Sequence, residues 1–164
     1  MLEEKVMYRG KWYRIQIHKD TKRRRARLEL DEEEMVIHTP ITSEVFLREA
    51  MEKWFSAQAK MVFPVRVMHF QRLTGGTVRQ IRVKDQKTRW GSCSSLNNLN
   101  FSWRLIMAPP EVLDYVVVHE LCHLTHMNHS RDFWEMVERV MPEYRQYKQW
   151  LKEHGHVLQM AFRG

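Results

Sequence analysis

Residues 116–134 read VVVHELCHLTHMNHSRDFW, a stretch apolar enough to be core that carries four histidines and a glutamate. It continues the run EVLDYVVV from Glu111, behind Pro109 and Pro110. Proline is preorganised for a first helical turn, and a helix that is hydrophobic on nearly every side belongs in the centre of a fold. On such a helix His119 and His123, four residues apart, project to one side about 6 Å apart along the axis. Two imidazoles so placed can chelate one ion. Glu120 is displaced by about 100°, beside the ion and not on it, which is the HExxH arrangement of two ligands and a carboxylate that takes a proton from water. Core histidines bonded to backbone carbonyls are the bland alternative. Dehydrating neutral imidazoles requires partners in either case.

A third ligand must come from His126 or His129. His126 shares the helix face but lies about 10 Å along the axis from His119, too far for both to reach one ion at bonds of about 2 Å. It is expected to cap the turn or flank the site. His129 can join the pair only if the chain turns first, and Met127 and Asn128 offer that turn, asparagine being a favoured left-handed helix terminator. His119, His123 and His129 are therefore the expected ligands of one Zn²⁺ per chain, with Glu120 as the catalytic base.

Outward from this helix, Ser130 caps a following helix through Val140, and Pro142 opens a last one expected to stop near Gly155. Upstream, RQIRVK (Arg79 to Lys84) alternates as a strand that RWGSCS is expected to continue, and LNFSW (Leu99 to Trp103) alternates again after a turn at Leu96 to Asn98, which predicts a second hairpin. Before that, Thr42 and Ser43 start a helix with Leu47, Ala50, Met51, Trp54 and Phe55 at helical spacing. Pro64 is expected to break it near Met61, with a second helix ending at Gly75 and Gly76. From Val6 to Pro40, short alternating segments predict two antiparallel β-hairpins or a meander. The expectation is a single α+β domain over residues 1–164, with an N-terminal β part at about 5–40 and a core at about 43–155.

A chain of 164 residues buries a real core without disulfides, so a metal would be functional and not a folding staple. The two cysteines, Cys93 and Cys122, lack zinc-finger or redox spacing and read as reduced thiols. No segment has the length and apolarity of a signal peptide or membrane span, so a cytoplasmic protein that does not engage a membrane is expected. The net charge of +7 suits an anionic partner. The tip DTKRRRAR (Asp20 to Arg27) offers a basic surface for nucleic acid, although Arg25 and Arg27 alternate with Ala26 and Leu28 as on a solvated strand face.

HELCHLTHMNHSRDFW, with TRWGSCSS and LIMAPPEVLDYVVV upstream, resembles the YgjP-like metallopeptidase family, which is related to the SprT and WLM-type proteases. The resemblance covers Arg79 to Gly155 and implies a zincin-like peptidase fold, with His119, His123 and His129 matching the zinc ligands and Glu120 the catalytic acid. It also implies that the strand carrying Arg89, Trp90, Gly91 and Ser92 borders a cleft where an extended peptide or protein substrate pairs with its edge. The spacing after His123 equals that of metzincins, but His126 stands where their glycine would be, and there is no convincing Met-turn downstream.

The expected reaction is hydrolysis of peptide bonds. A donor for the developing oxyanion is required, and His126, Tyr144, Tyr147 and Arg89 are candidates among which the sequence does not choose. The alternative reading is a zinc-containing nucleic-acid- or protein-binding module without catalytic activity.

Overall fold

A computed structural model describes residues 2–163 of the chain. Strands β1 (Lys5–Tyr8) and β2 (Lys11–Lys19) form one antiparallel hairpin, and β3 (Arg27–Leu30) and β4 (Glu34–Thr39) a second. The hairpins are joined by parallel pairing of β2 with β4, in the order β1-β2-β4-β3. Of the two expected arrangements, hairpins are found and a meander is not. β4 carries fully buried Met35, Ile37 and Thr39, so it takes an interior position and leaves the edge to β3.

Helix α1 (Glu44–Thr74) starts at Ser43, whose hydroxyl accepts from the Phe46 amide, and runs without interruption through Pro64. The expected break is absent. Leu47, Met51, Phe55, Ala59, Phe63, Val67 and Phe70 form one buried stripe that continues on both sides of the proline. Pro64 and Lys60 are exposed, so the Lys60 carbonyl deprived of its partner lies on the solvent side, where water satisfies it. Burial of the stripe outweighs a local cost of about 3 kcal/mol.

The second sheet comprises β5 (Gln80–Lys84), β6 (Gly91–Cys93) and β7 (Asn98–Ser102) in the order β5-β7-β6. The expected hairpin is β6–β7, turned by Asn97 at φ +62°. RWGSCS does not continue the preceding strand: β5 pairs in parallel with the opposite side of β7. The fully buried Leu99 and Phe101 explain this, since they place β7 in the middle.

A 3₁₀ helix over Trp103–Met107 leads into α2 (Pro110–Cys122), followed by α3 (Arg131–Val140) and α4 (Tyr144–Met160). α2 is buried at nine of its residues, as its apolarity predicts, and a bidentate Arg66–Asp114 ion pair at 2.8 and 2.9 Å ties it to α1. α4 does not stop at Gly155. A β-carbon there would lie 2.9 Å from Cζ2 of Trp90, so this glycine lets the segment before β6 pack against the helix. Arg104 is fully buried and donates to Asp85 and to the Leu158 and Ala161 carbonyls at the end of α4. No helix among the described residues is long and apolar enough to cross a membrane.

Candidate metal centre

The last turn of α2 and the chain that leaves it build the site. After Cys122 the helix tightens: the amides of His123, Leu124 and Thr125 bond three residues back, and that of His126 bonds to the Cys122 carbonyl. The chain then leaves the axis and returns His129 to the face it had just passed. No left-handed asparagine is used here, since Asn97 is the described asparagine with positive φ; the tightened turn suffices. Ser130 caps α3 by accepting from the Phe133 amide.

The three side chains meet through their Nε2 atoms. His119 and His123 are 3.3 Å apart, and His129 lies 3.1 Å from each. Among the described residues this is the one group of three or more possible metal ligands brought together. An ion held tetrahedrally at about 2.05 Å from three imidazole nitrogens keeps them about 3.3 Å apart, so the spacing fits a tetrahedral ion. Nδ1 of His123 donates to the His126 carbonyl at 2.9 Å, and Nδ1 of His119 faces the Tyr115 hydroxyl at 3.4 Å. With the protons on Nδ1, both Nε2 lone pairs point into the cluster. Burial pushes His119 down to about 3, reinforced by His123, His129 and Lys148; burial also lowers His123, against the pull of the His126 carbonyl. These imidazoles are neutral at neutral pH, as ligands must be. Lone pairs so close repel one another unless they share a cation.

α3 supplies the wall beneath them. The fully buried Phe133 stacks on His123 with centroids 4.4 Å apart, and Trp134 lies nearly parallel to His129 at 5.9 Å. Glu135 pairs with Arg131 and not with a histidine.

Glu120 is 5% exposed. Burial pushes its carboxyl up to about 8, opposed by Arg89. It abuts β6: a β-carbon on Gly91 would lie 3.1 Å from both Cγ and Oε2 of Glu120, so the glycine leaves room for the carboxylate. His119 and Glu120 open onto a cavity of about 370 Å³ lined by Arg89, Trp90, Tyr115, Lys148, Leu151 and Lys152, among others. Gly91 also borders it, while Ser92 lies one residue further along β6 and accepts from the Asn100 side chain. Arg89 and Trp90 precede β6 and are not part of it. Cys122 is fully buried in the core, and burial pushes its thiol up to about 12.

The three tyrosines divide. Tyr144 is buried, stacked between Tyr115 and Trp134, and neither it nor Tyr147 lines the cavity. Tyr115 does, and sequence reasoning missed it, although it stands four residues before His119 as His119 stands before His123. Phe133, Trp134 and Lys148 were missed too. His126 contributes its carbonyl.

A three-histidine cluster at the end of a buried helix, with a carboxylate beside it and a cavity in front, defines a candidate metal centre of hydrolytic type. The chain belongs to the YgjP-like metallopeptidase family: the family profile described as "YgjP-like, metallopeptidase domain" matches residues 1–154. Family membership implies a bound metal, and the histidine cluster is where one fits. Among solved structures, the metallopeptidase zymogen abylysin of Pyrococcus abyssi is similar, with a TM-score of 0.51 and 20% identity over 56% of this chain and 94% of that one. At that identity the likeness is one of fold. No curated protein matches the chain.

Proposed function

We propose that the chain is a zinc-dependent peptidase in which His119, His123 and His129 hold one Zn²⁺ and Glu120 is the general base. The observation that carries this is the triangle of Nε2 atoms 3.1–3.3 Å apart with Glu120 next to it on the same cavity. Three imidazoles without a thiolate suit Zn²⁺ among the common ions. The ion, when bound, supplies Lewis acidity towards a carbonyl and lowers the pKa of water. Glu120 accepts the proton of the attacking water and returns it to the leaving amine. Its burial keeps water from competing for that proton, and the nearby cation would favour its ionised form.

β6 is an edge of its sheet, so an extended substrate can add to it alongside Gly91 and Ser92, with Arg89 and Trp90 at one end. Arg89 and Tyr115, which both face the cavity, are better oxyanion donors than Tyr144, Tyr147 or the His126 side chain.

The non-catalytic reading has one observation in its favour. A cleft of about 780 Å³ between the 23–28 segment and α1 is lined by Arg23, Arg24, Arg25, Arg27 and Lys53, far in sequence from the histidines. Nucleic acid bound there would show an affinity falling steeply with salt.

Zinc content of protein purified without chelator, with cleavage of an unfolded protein as the activity assay, tests the reading. About one zinc per chain is expected, falling sharply in His129→Ala, while Glu120→Gln keeps the zinc and loses cleavage. Unchanged cleavage in Glu120→Gln would overturn the assignment of the base.

A further inference from the structure

We propose that the cavity beside Glu120 is a specificity pocket for a carboxylate, carried by an acidic side chain or by a chain terminus of the substrate; that the carboxylate belongs to a substrate rests on the peptidase reading. Three cations from two elements converge on it: Arg89 from the segment before β6, and Lys148 and Lys152, one helical turn apart on α4. Glu120, committed to proton transfer, is the one carboxylate among its lining residues. Among the described residues, none of these three cations makes an ion pair, whereas Arg14, Arg27, Arg66, Arg104, Arg131, Arg145 and Arg163 all do. Three cations against one carboxylate leave the field in the cavity net positive, and low-dielectric walls concentrate it.

The walls are apolar: Trp90, Tyr115, Val116 and Leu151. Two contacts set the positions of the cations. The Lys148 ammonium sits 4.3 Å from the centre of the Trp134 ring, which itself packs on His119 and His129. Trp90 packs against Gly155, which holds the Arg89 segment against α4. A methylene stem can rest on the apolar walls while its carboxylate meets the cations. A cationic side chain would meet an excess of like charge, so the pocket discriminates by repulsion as well as attraction.

Three probes separate the possibilities when titrated by NMR against the zinc-loaded wild-type protein: N-acetylglutamyl amide carries only a side-chain carboxylate, N-acetylglutamine only a terminal one, and N-acetylglutaminyl amide neither. One of the charged probes is expected to bind about tenfold more tightly than the neutral one, shifting the Trp90 indole and Leu151 methyl signals. The probe that gains names the source of the carboxylate. In Lys148→Gln/Lys152→Gln the advantage should drop to about threefold, and in Lys148→Glu/Lys152→Glu, exposed positions whose exchange leaves the core intact, it should vanish or invert. Equal binding of all three probes overturns the assignment, as does an advantage that survives the charge reversal, since the carboxylate then binds elsewhere, the zinc included. Peptides with Glu or Gln next to the cleaved bond provide the second arm, with a matching preference in kcat/KM. Carboxylate binding without any cleavage would withdraw the peptidase reading and leave the pocket standing; cleavage without carboxylate preference in either arm would withdraw the pocket alone.

Discussion

Replacing Glu120 by glutamine should make the metal-free protein more stable at neutral pH, although it destroys the activity of the zinc-loaded protein. The carboxyl is pushed from 4.5 up to about 8 in the fold, by burial above all. A carboxyl raised in the native state is released more readily by the unfolded chain, so ionisation opposes folding. Below about pH 4.5 both states hold the proton and there is no penalty. Between about 4.5 and 8 the penalty grows by about 1.4 kcal/mol per pH unit and then levels off. It is about 1 kcal/mol at pH 5, about 3 at pH 7 and about 4 at pH 8. Glutamine has nearly the same shape and no charge to lose. The difference in stability between Glu120→Gln and wild type should therefore grow by about 3 kcal/mol from pH 5 to pH 8, and comparing the two pH values cancels any fixed difference between amide and carboxyl. For a chain of this size that is a change in ΔTm of roughly 6–12 °C. Thermal unfolding of chelator-treated protein, followed by circular dichroism at the two pH values, measures it. A ΔTm that does not change with pH would refute the argument that burial governs this carboxylate. With zinc bound the gain should shrink, because the cation stabilises the ionised form.

Gly91→Ala would put a β-carbon 3.1 Å from Glu120 and from the Asn100 carbonyl; with a backbone atom unable to yield easily, kcat/KM should fall at least about tenfold and stability by about 1–3 kcal/mol, while zinc analysis still finds the metal. Arg104→Met removes a fully buried cation, strands two helix-end carbonyls and leaves Asp85 with Arg163 alone, so denaturant titration should show a loss of about 3–5 kcal/mol. Asp85, raised by burial but held below its usual range by the hydrogen bonds and charge of Arg104 and by Arg163, should return upward in that variant, as carboxyl NMR titration would report. Pro64→Ala restores a backbone donor at an exposed position of an unbroken helix and should gain about 2 kcal/mol, seen as a higher Tm with activity unchanged.

The histidine spacing, the apolar run around it and the caps at Ser43 and Ser130 were legible because each is a contact within one element or across one turn. Helical geometry alone ruled out His126 beside His119 and required a turn before His129, and the three nitrogens do meet. The alternation of the first 40 residues likewise revealed strands and hairpins. What periodicity does not encode is which distant element lies alongside: parallel pairing of β2 with β4 and of β5 with β7, the passage of α1 through Pro64 and the length of α4 beyond Gly155 follow from which faces are buried together. The same holds at the site. Phe133 and Trp134 under the imidazoles, and Lys148 and Lys152 brought opposite Arg89, become neighbours only when α3 and α4 fold back onto α2. The sequence by itself determined which three histidines gather and which carboxylate lies beside them, since these lie within eleven residues of one another; the tertiary structure alone decided what surrounds them, because side chains far apart along the chain acquire a common cavity only through packing.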